Sequence, residues 1–361
     1  KLVAMNSAKT LPDIICGGGW STLAHLGGLE PLTEYWNNYE YLDEMTPATD
    51  TYIRDLASLD GEIYNVPDGY ILRGVFVRTD WMEEAGLNVE DYENMTWEQY
   101  FDLVKKLTDV ENGRYGIAFR GGSMNLMAFR EYCQSMLENG TVFLNDGTYN
   151  SIYTAPEALD YFKEMYGLYL DGYAPEESIN WGYPEMVEGF VSGQCGTLIQ
   201  TPEVVPICQE AMEDGTWKVL AYPRKDGAEK DVMAWGSSTS YEMSAYSENK
   251  EEAWNLIAYL TSPEVNLEYC KRFGCIPIYK TALEDDYFKN GVSRGFVDRL
   301  MSENMITAVD PIEIAQMDYF NTELSTAEIQ KYLLGEQSAE DTIANLNNWL
   351  ATEEEKVQTA E

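Results

Sequence analysis

Glu62-Ile63-Tyr64-Asn65-Val66-Pro67-Asp68-Gly69-Tyr70-Ile71-Leu72-Arg73-Gly74-Val75-Phe76-Val77-Arg78-Thr79 is the run whose reading decides the fold. Residues 62–67 and 74–79 are short β-type segments, and Asp68, Gly69 and Tyr70 supply the turn between them, so the run predicts a strand pair. Upstream, Ile14 and Ile15 run into Gly17, Gly18 and Gly19, a buried strand entering a tight loop before a helix over 22–26. Downstream, Thr96 and Gln99 spell a capping box, and Trp97, Tyr100, Phe101, Val104 and Leu107 recur at helical spacing behind it.

The same alternation continues. Residues 115–119 predict a strand, Gly121-Gly122 a turn and 126–138 a helix. Thr154 with Glu157 predicts the cap of a helix whose Leu159, Phe162, Tyr166 and Tyr169 share one face. Residues 197–200 and 217–222 predict strands, and 233–243 an irregular extended segment. Asn249 with Glu252 caps a helix carrying Ala253, Trp254, Ile257 and Leu260. Ser262-Pro263 starts another that Gly274 ends, and the last helices run up to Gly335 and over 338–350. Strands interleaved with helices indicate an α/β architecture. The stretch after residue 245 reads as almost wholly helical, so its helices are expected to complete lobes begun earlier: residues 1–74 with 237–302, and 75–236 with 303–361. A chain that crosses more than once between lobes forms a hinge with a ligand cleft beside it.

Composition narrows the function. At 361 residues the chain exceeds what one core usually serves. Acids outnumber bases 62 to 24, a formal charge of -38, which repels phosphate backbones and excludes nucleic acid as a partner. The single histidine, His25, leaves Ser-His-Asp, Cys-His and HExxH chemistry without partners. Carboxylate-pair glycosidases survive that test, because they need only Asp and Glu. The six cysteines, Cys16, Cys133, Cys195, Cys208, Cys270 and Cys275, include no CxxC pair, so no metal and no cofactor is expected, and Cys270 and Cys275 are expected as buried thiols.

The segments are collinear with a known family. Leu11-Pro12-Asp13-Ile14-Ile15 is similar to the LPD-hydrophobic strand of family 1 extracellular solute-binding proteins, the maltose-binding-protein-like receptors of bacterial carbohydrate ABC transporters. The stretch 62–67, the stretch 73–80, Glu84-Ala85-Gly86-Leu87 and Thr96-Trp97-Glu98 resemble its next elements, and Gly189-Phe190-Val191-Ser192-Gly193 its helix-to-strand element. Ala234-Trp235-Gly236, the stretch 247–254, Leu260-Thr261-Ser262-Pro263-Glu264 and the stretch 334–346 resemble its later passages. The resemblance implies a two-lobed periplasmic-binding-protein-like fold (type II) with a multi-crossover hinge. It also implies that a first βαβ unit is missing ahead of residue 1, which would take strands from the middle of a sheet. By resemblance the protein is a monomeric, extracellular, cell-surface lipoprotein of a Gram-positive organism, or a periplasmic protein. It would be anchored only through a lipid upstream of this chain and serve the permease subunits of an ABC transporter.

A sugar offers apolar C–H faces and a rim of hydroxyls, so its receptor needs aromatic planes and convergent polar groups at loops and strand ends. Trp20 with Ser21 after the glycine loop, Trp181 with Tyr183, and Trp235 beside Gly236 are the aromatic candidates. Arg73 and Arg120, each at a strand end beside glycine in an arginine-poor chain, could bridge vicinal hydroxyls or a carboxylate. Asp68, Tyr70, Asn125, Gln200 and Glu203 complete the candidate set. The expected function is a carbohydrate receptor that performs no catalysis and works by hinge closure. A secreted carboxylate-pair glycoside hydrolase and a polyamine-type cation receptor of the same fold are its rivals.

Overall fold

The computed structural model describes the chain apart from residues 18, 19, 47, 50, 51, 54–57, 238, 239, 302, 303, 309, 312, 315 and 361 and the side chains of 233–237 and 360. It divides into two compact units. Unit 1 comprises Lys1–Leu72, Thr201–Pro206 and Trp235–Leu300, and unit 2 comprises Arg73–Gln200, Ile207–Ala234 and Met301–Glu361.

In unit 1 the strand Ser240–Met243 lies between Ile14–Cys16 and Val66–Pro67, antiparallel to both. Ile14–Cys16 has no second strand beside it among the described residues. Leu11, Ile15, Leu23, Ala24 and Leu29 form a core cluster on which Trp20 and Tyr246 pack. Cys270 and Cys275 are buried thiols 3.3 Å apart, whereas Cys16 is exposed. The helix Pro263–Phe273 starts at the expected proline and ends on Gly274, whose φ of 94° is the left-handed conformation that a C-terminal cap needs.

In unit 2 the sheet order is Tyr115–Ile117, Cys195–Gln200, Gly74–Arg78, Trp217–Ala221. Gly74–Arg78 is antiparallel to both neighbours, and Tyr115–Ile117 is parallel to Cys195–Gln200. Every residue of Cys195–Gln200 and all but the last of Gly74–Arg78 are buried, which is why these strands read as unbroken runs. Trp97 anchors the core. Its ring meets Tyr100, Phe101, Tyr132 and Tyr222, and its indole N–H donates to Ser135 Oγ at 3.1 Å. The helix that carries it, Trp97–Lys106, opens with both hydrogen bonds of the Thr96–Gln99 capping box.

Several local expectations are corrected. Residues 62–67 and 74–79 do not pair with each other: the first run breaks into Glu62–Ile63 and Val66–Pro67 in unit 1, whereas the second enters the sheet of unit 2. Tyr70–Leu72, assigned in part to the turn, is a strand of its own. The intended caps Thr154 and Asn249 make no side-chain cap bond: Glu157 precedes the helix Ala158–Leu170, and Asn249 precedes Lys250–Leu260 without accepting. The segment 233–243 contains two regular strands, Asp231–Ser237 and Ser240–Met243. The helical region after 245 is interrupted by the strand Met305–Ala308, parallel to Asp231–Ala234, and its last helix, Ala339–Ala360, extends well past 350.

One buried acid makes unit 1 sensitive to pH. Glu242 stands opposite Ile15 in the strand register, wholly buried, with Ser240 Oγ donating to one carboxylate oxygen and no described partner for the other. Burial first, and the nearby Asp68 charge after the opposing Ser240 bond, push its carboxyl up from 4.5 to about 7. The folded chain then binds a proton that the unfolded chain releases, so this contribution is complete below about pH 4.5 and is lost as pH rises through 7. We expect stability to fall by on the order of 3 kcal/mol between pH 5 and 8 from this group. Denaturant melts of wild type and Glu242→Gln across that range check it, since the same slope in both would remove Glu242 as the cause. In unit 2, Trp97→Ala should cost about 3–5 kcal/mol in the same assay.

Candidate functional site

The strand register of unit 2 gathers polar side chains at one end of its sheet. Gly74 pairs with Gln200, so Arg73 lies one residue beyond the end of that ladder. Ile117 pairs in parallel with Thr197, so Arg120 emerges level with Gln200. This is the carboxyl end of the parallel pair, where open α/β sheets hold ligands.

Arg73, Arg120, Asn125 and Gln200 line one cavity of about 40 Å³. Its apolar wall includes Phe119 and the methionines Met124, Met127, Met165 and Met186. Their unbranched thioether chains adapt readily to the shape of an occupant. The loop after Arg120 is pinned by several bonds. Gly121 N–H donates to the Ser178 carbonyl at 3.0 Å, Asn125 Nδ2 donates to the Gly121 carbonyl at 3.1 Å, and Gln330 Nε2 donates to the carbonyls of Gly121 and Ile179, both at 3.1 Å. Glycine is required at 121, because a Cβ there would stand 2.4 Å from Ile179 Cα. Met124, which lines the cavity, is held at φ 63°, a left-handed conformation costly for a residue with a side chain.

The two arginines stand in different electrostatic states. Arg73 donates from Nε to Glu131 Oε1 at 2.6 Å and from Nη1 to Gln200 Oε1 at 3.2 Å, and Glu131 is buried on the helix Met127–Leu137. Arg120 makes no ion pair or hydrogen bond among the described residues, and its Nε is enclosed without an acceptor. Burial first, then the positive charge of Arg73, lower its guanidinium to about 10, with Tyr183 acting the other way. Asn125 Oδ1 and Glu131 Oε2 are also buried without a described donor. Burial, and then the Glu131 carboxylate, push the neighbouring Tyr222 phenol up. An arrangement with an unmatched donor, unmatched acceptors and an apolar wall can bind a polar molecule.

The remaining candidates are distributed as follows. In unit 2, the Trp181 ring packs over Gly189 and its carbonyl accepts the Gly122 N–H at 2.9 Å, and Tyr183 is the half-buried first residue of the helix Tyr183–Val191. Trp20 and Ser21 belong to unit 1. They open the helix Trp20–His25 and so do not sit in the loop before it, with Trp20 leaning on the Leu11–Ile15 cluster. Also in unit 1, Asp68 is buried with its carbonyl accepting Asn266 Nδ2 at 2.6 Å, and Tyr70 is fully enclosed with its hydroxyl 2.7 Å from Thr46 Oγ1. Glu203 accepts from Thr201 Oγ1 at 2.5 Å. The backbone of Trp235 pairs with Leu72, and its side chain lies outside the described residues.

Glu131 and the four methionines were missed by sequence reasoning. They come from the helices Met127–Leu137, Ala158–Leu170 and Tyr183–Val191 and from Met124 ahead of the first, and only tertiary packing brings them together; no motif marks them.

The family model for bacterial extracellular solute-binding proteins matches residues 1–267. A binding protein of Brucella abortus (strain 2308) is 24% identical over 314 residues, covering 86% of this chain and 73% of its own length. The crystal structure of an ABC transporter solute-binding protein from Thermotoga lettingae, bound with α-D-tagatose, is 22% identical with a TM-score of 0.80, covering 98% of this chain and 88% of that one. Maltose-bound MalE3 of T. maritima, also 22% identical, has a TM-score of 0.78 and covers 97% and 86%. These structures share the α/β fold of this protein, and the sequence match places the chain in the bacterial extracellular solute-binding protein family.

Proposed function

We propose that this protein is the extracellular receptor of an ABC importer, that it captures a sugar or short oligosaccharide, and that it hands the ligand intact to the permease subunits. The observation that carries the reading is the cavity at the carboxyl end of the unit 2 sheet, with Arg73, Arg120, Asn125 and Gln200 converging on an apolar wall. Such a site matches a polar group projecting from a saccharide, with the C–H groups beside it against the apolar wall. The sugars in the Thermotoga structures are of that kind. Capture is proposed to proceed by hinge closure, since the chain passes between its two units at residues 72–73, 200–201, 206–207, 234–235 and 300–301. Trp20 and Tyr183 are the proposed stacking surfaces. The protein is proposed to act as a monomer, either as a cell-surface lipoprotein with a lipid anchor upstream of this chain or as a periplasmic protein.

Neither rival is favoured. A glycosidase needs two carboxyl groups facing one bond, yet among the described residues no carboxylate lines the cavity, and the nearby Glu131 is already bonded to Arg73. A polyamine receptor needs acids where this cavity presents two arginines.

A thermal-shift screen against neutral oligosaccharides, sugar acids and polyamines, with the ligands recovered and analysed, tests the reading. A carbohydrate should raise Tm and be recovered uncleaved; cleavage, or a response to polyamines alone, would overturn it. Trp20→Ala should weaken carbohydrate binding about tenfold while the fold persists, as titration calorimetry and circular dichroism would register.

A further inference from the structure

Among the described residues, arginine finds acid readily in this chain. Arg78 pairs with Asp80, Arg114 with Glu84, Arg130 with Asp310, Arg272 with Glu268 and Arg294 with Asp298. With 62 acids against 24 bases, that pairing is the statistical default. Arg120 departs from it inside the cavity, where partial burial makes an uncompensated charge costly.

We propose that Arg120 is a carboxylate subsite, and that the ligand of this receptor is a sugar acid, a saccharide bearing a uronate-type carboxylate. The inference rests on the carbohydrate-receptor reading and specifies its substrate class. Three observations support it. First, Glu131 compensates the charge of Arg73, so the cavity keeps one unmatched positive charge, which suits a monoanion such as a carboxylate better than a sugar phosphate. Second, the cavity of about 40 Å³ has room for one or two water-sized groups, which fits a carboxylate projecting from a ring and not the ring itself. Third, Asn125 lines the same cavity and its Oδ1 is buried without a described donor, which leaves an acceptor for a ligand hydroxyl. The methionine and Phe119 wall lowers the local dielectric and strengthens a charge-assisted bond from the guanidinium.

Titration calorimetry of the full chain tests this with galacturonic and glucuronic acid oligosaccharides of two or three residues, their methyl esters, and neutral galactose and glucose oligosaccharides. The wild type should bind a free acid about 30-fold tighter than its own ester. That ratio should fall to below about threefold in Arg120→Met and stay intermediate in Arg120→Lys, whose retained cation keeps the test valid if the Met variant does not fold. If esters and neutral sugars bind as tightly as the acids, the carboxylate subsite is overturned and the receptor reading stands. An acid preference that survives unchanged in both variants overturns the assignment to Arg120. If no carbohydrate of either class binds folded wild type, both the subsite and the receptor reading fall.

Discussion

Burial of the strand Gly74–Arg78 on both faces is the constraint on which the rest of unit 2 depends. A one-residue slip would turn every side chain of the strand to the opposite face of the sheet, into packing shaped for its neighbour. Hydrogen-bonded along both edges, the strand buries Val75, Phe76 and Val77 together in the register that its two ladders share. That register sets Gln200 opposite Gly74, leaves Arg73 beyond the ladder, and, through the parallel pairing of Tyr115–Ile117, brings Arg120 level with them. Polar groups that could not meet by local preference are thus delivered to one place by hydrophobic packing.

Holding them there requires polar groups inside the protein. The helix Met127–Leu137 is buried around most of its circumference and carries Arg130, Glu131, Gln134 and Ser135 inward. Glu131 holds Arg73, Ser135 accepts from Trp97, and Arg130 donates to Asp310 and Asn321. Two of these partners, together with Gln330 on the loop carbonyls of Gly121 and Ile179, come from the last part of the chain. The site loop is therefore completed by residues translated long after it. Arg120 has no acid to match its charge among the described residues, and a partner for it from the ligand would supply one.

The sequence showed the α/β class, the Thr96 cap, the Trp97 stripe, the Pro263–Gly274 helix and the family, because each depends on near neighbours or on a collinear order of short motifs. It did not show that residues 62–67 and 74–79 enter different sheets. The turn at 68–70 fits a hairpin equally well, and partner choice is settled by non-local burial. Asp68, Tyr70 and the arginines were alike as polar or aromatic residues beside glycine. The structure encloses Tyr70 against Thr46 in unit 1 and leaves Arg120 uncompensated in a cavity of unit 2.

What the sequence determined by itself was the chemistry available: one histidine, scattered cysteines, few bases and many aromatic rings. What only the tertiary structure decided was which of those groups face one another and which are already neutralised. Charge compensation is a property of distance and burial. Arg73 beside Glu131 and Arg120 beside none are indistinguishable until the strands are in register and the water is gone.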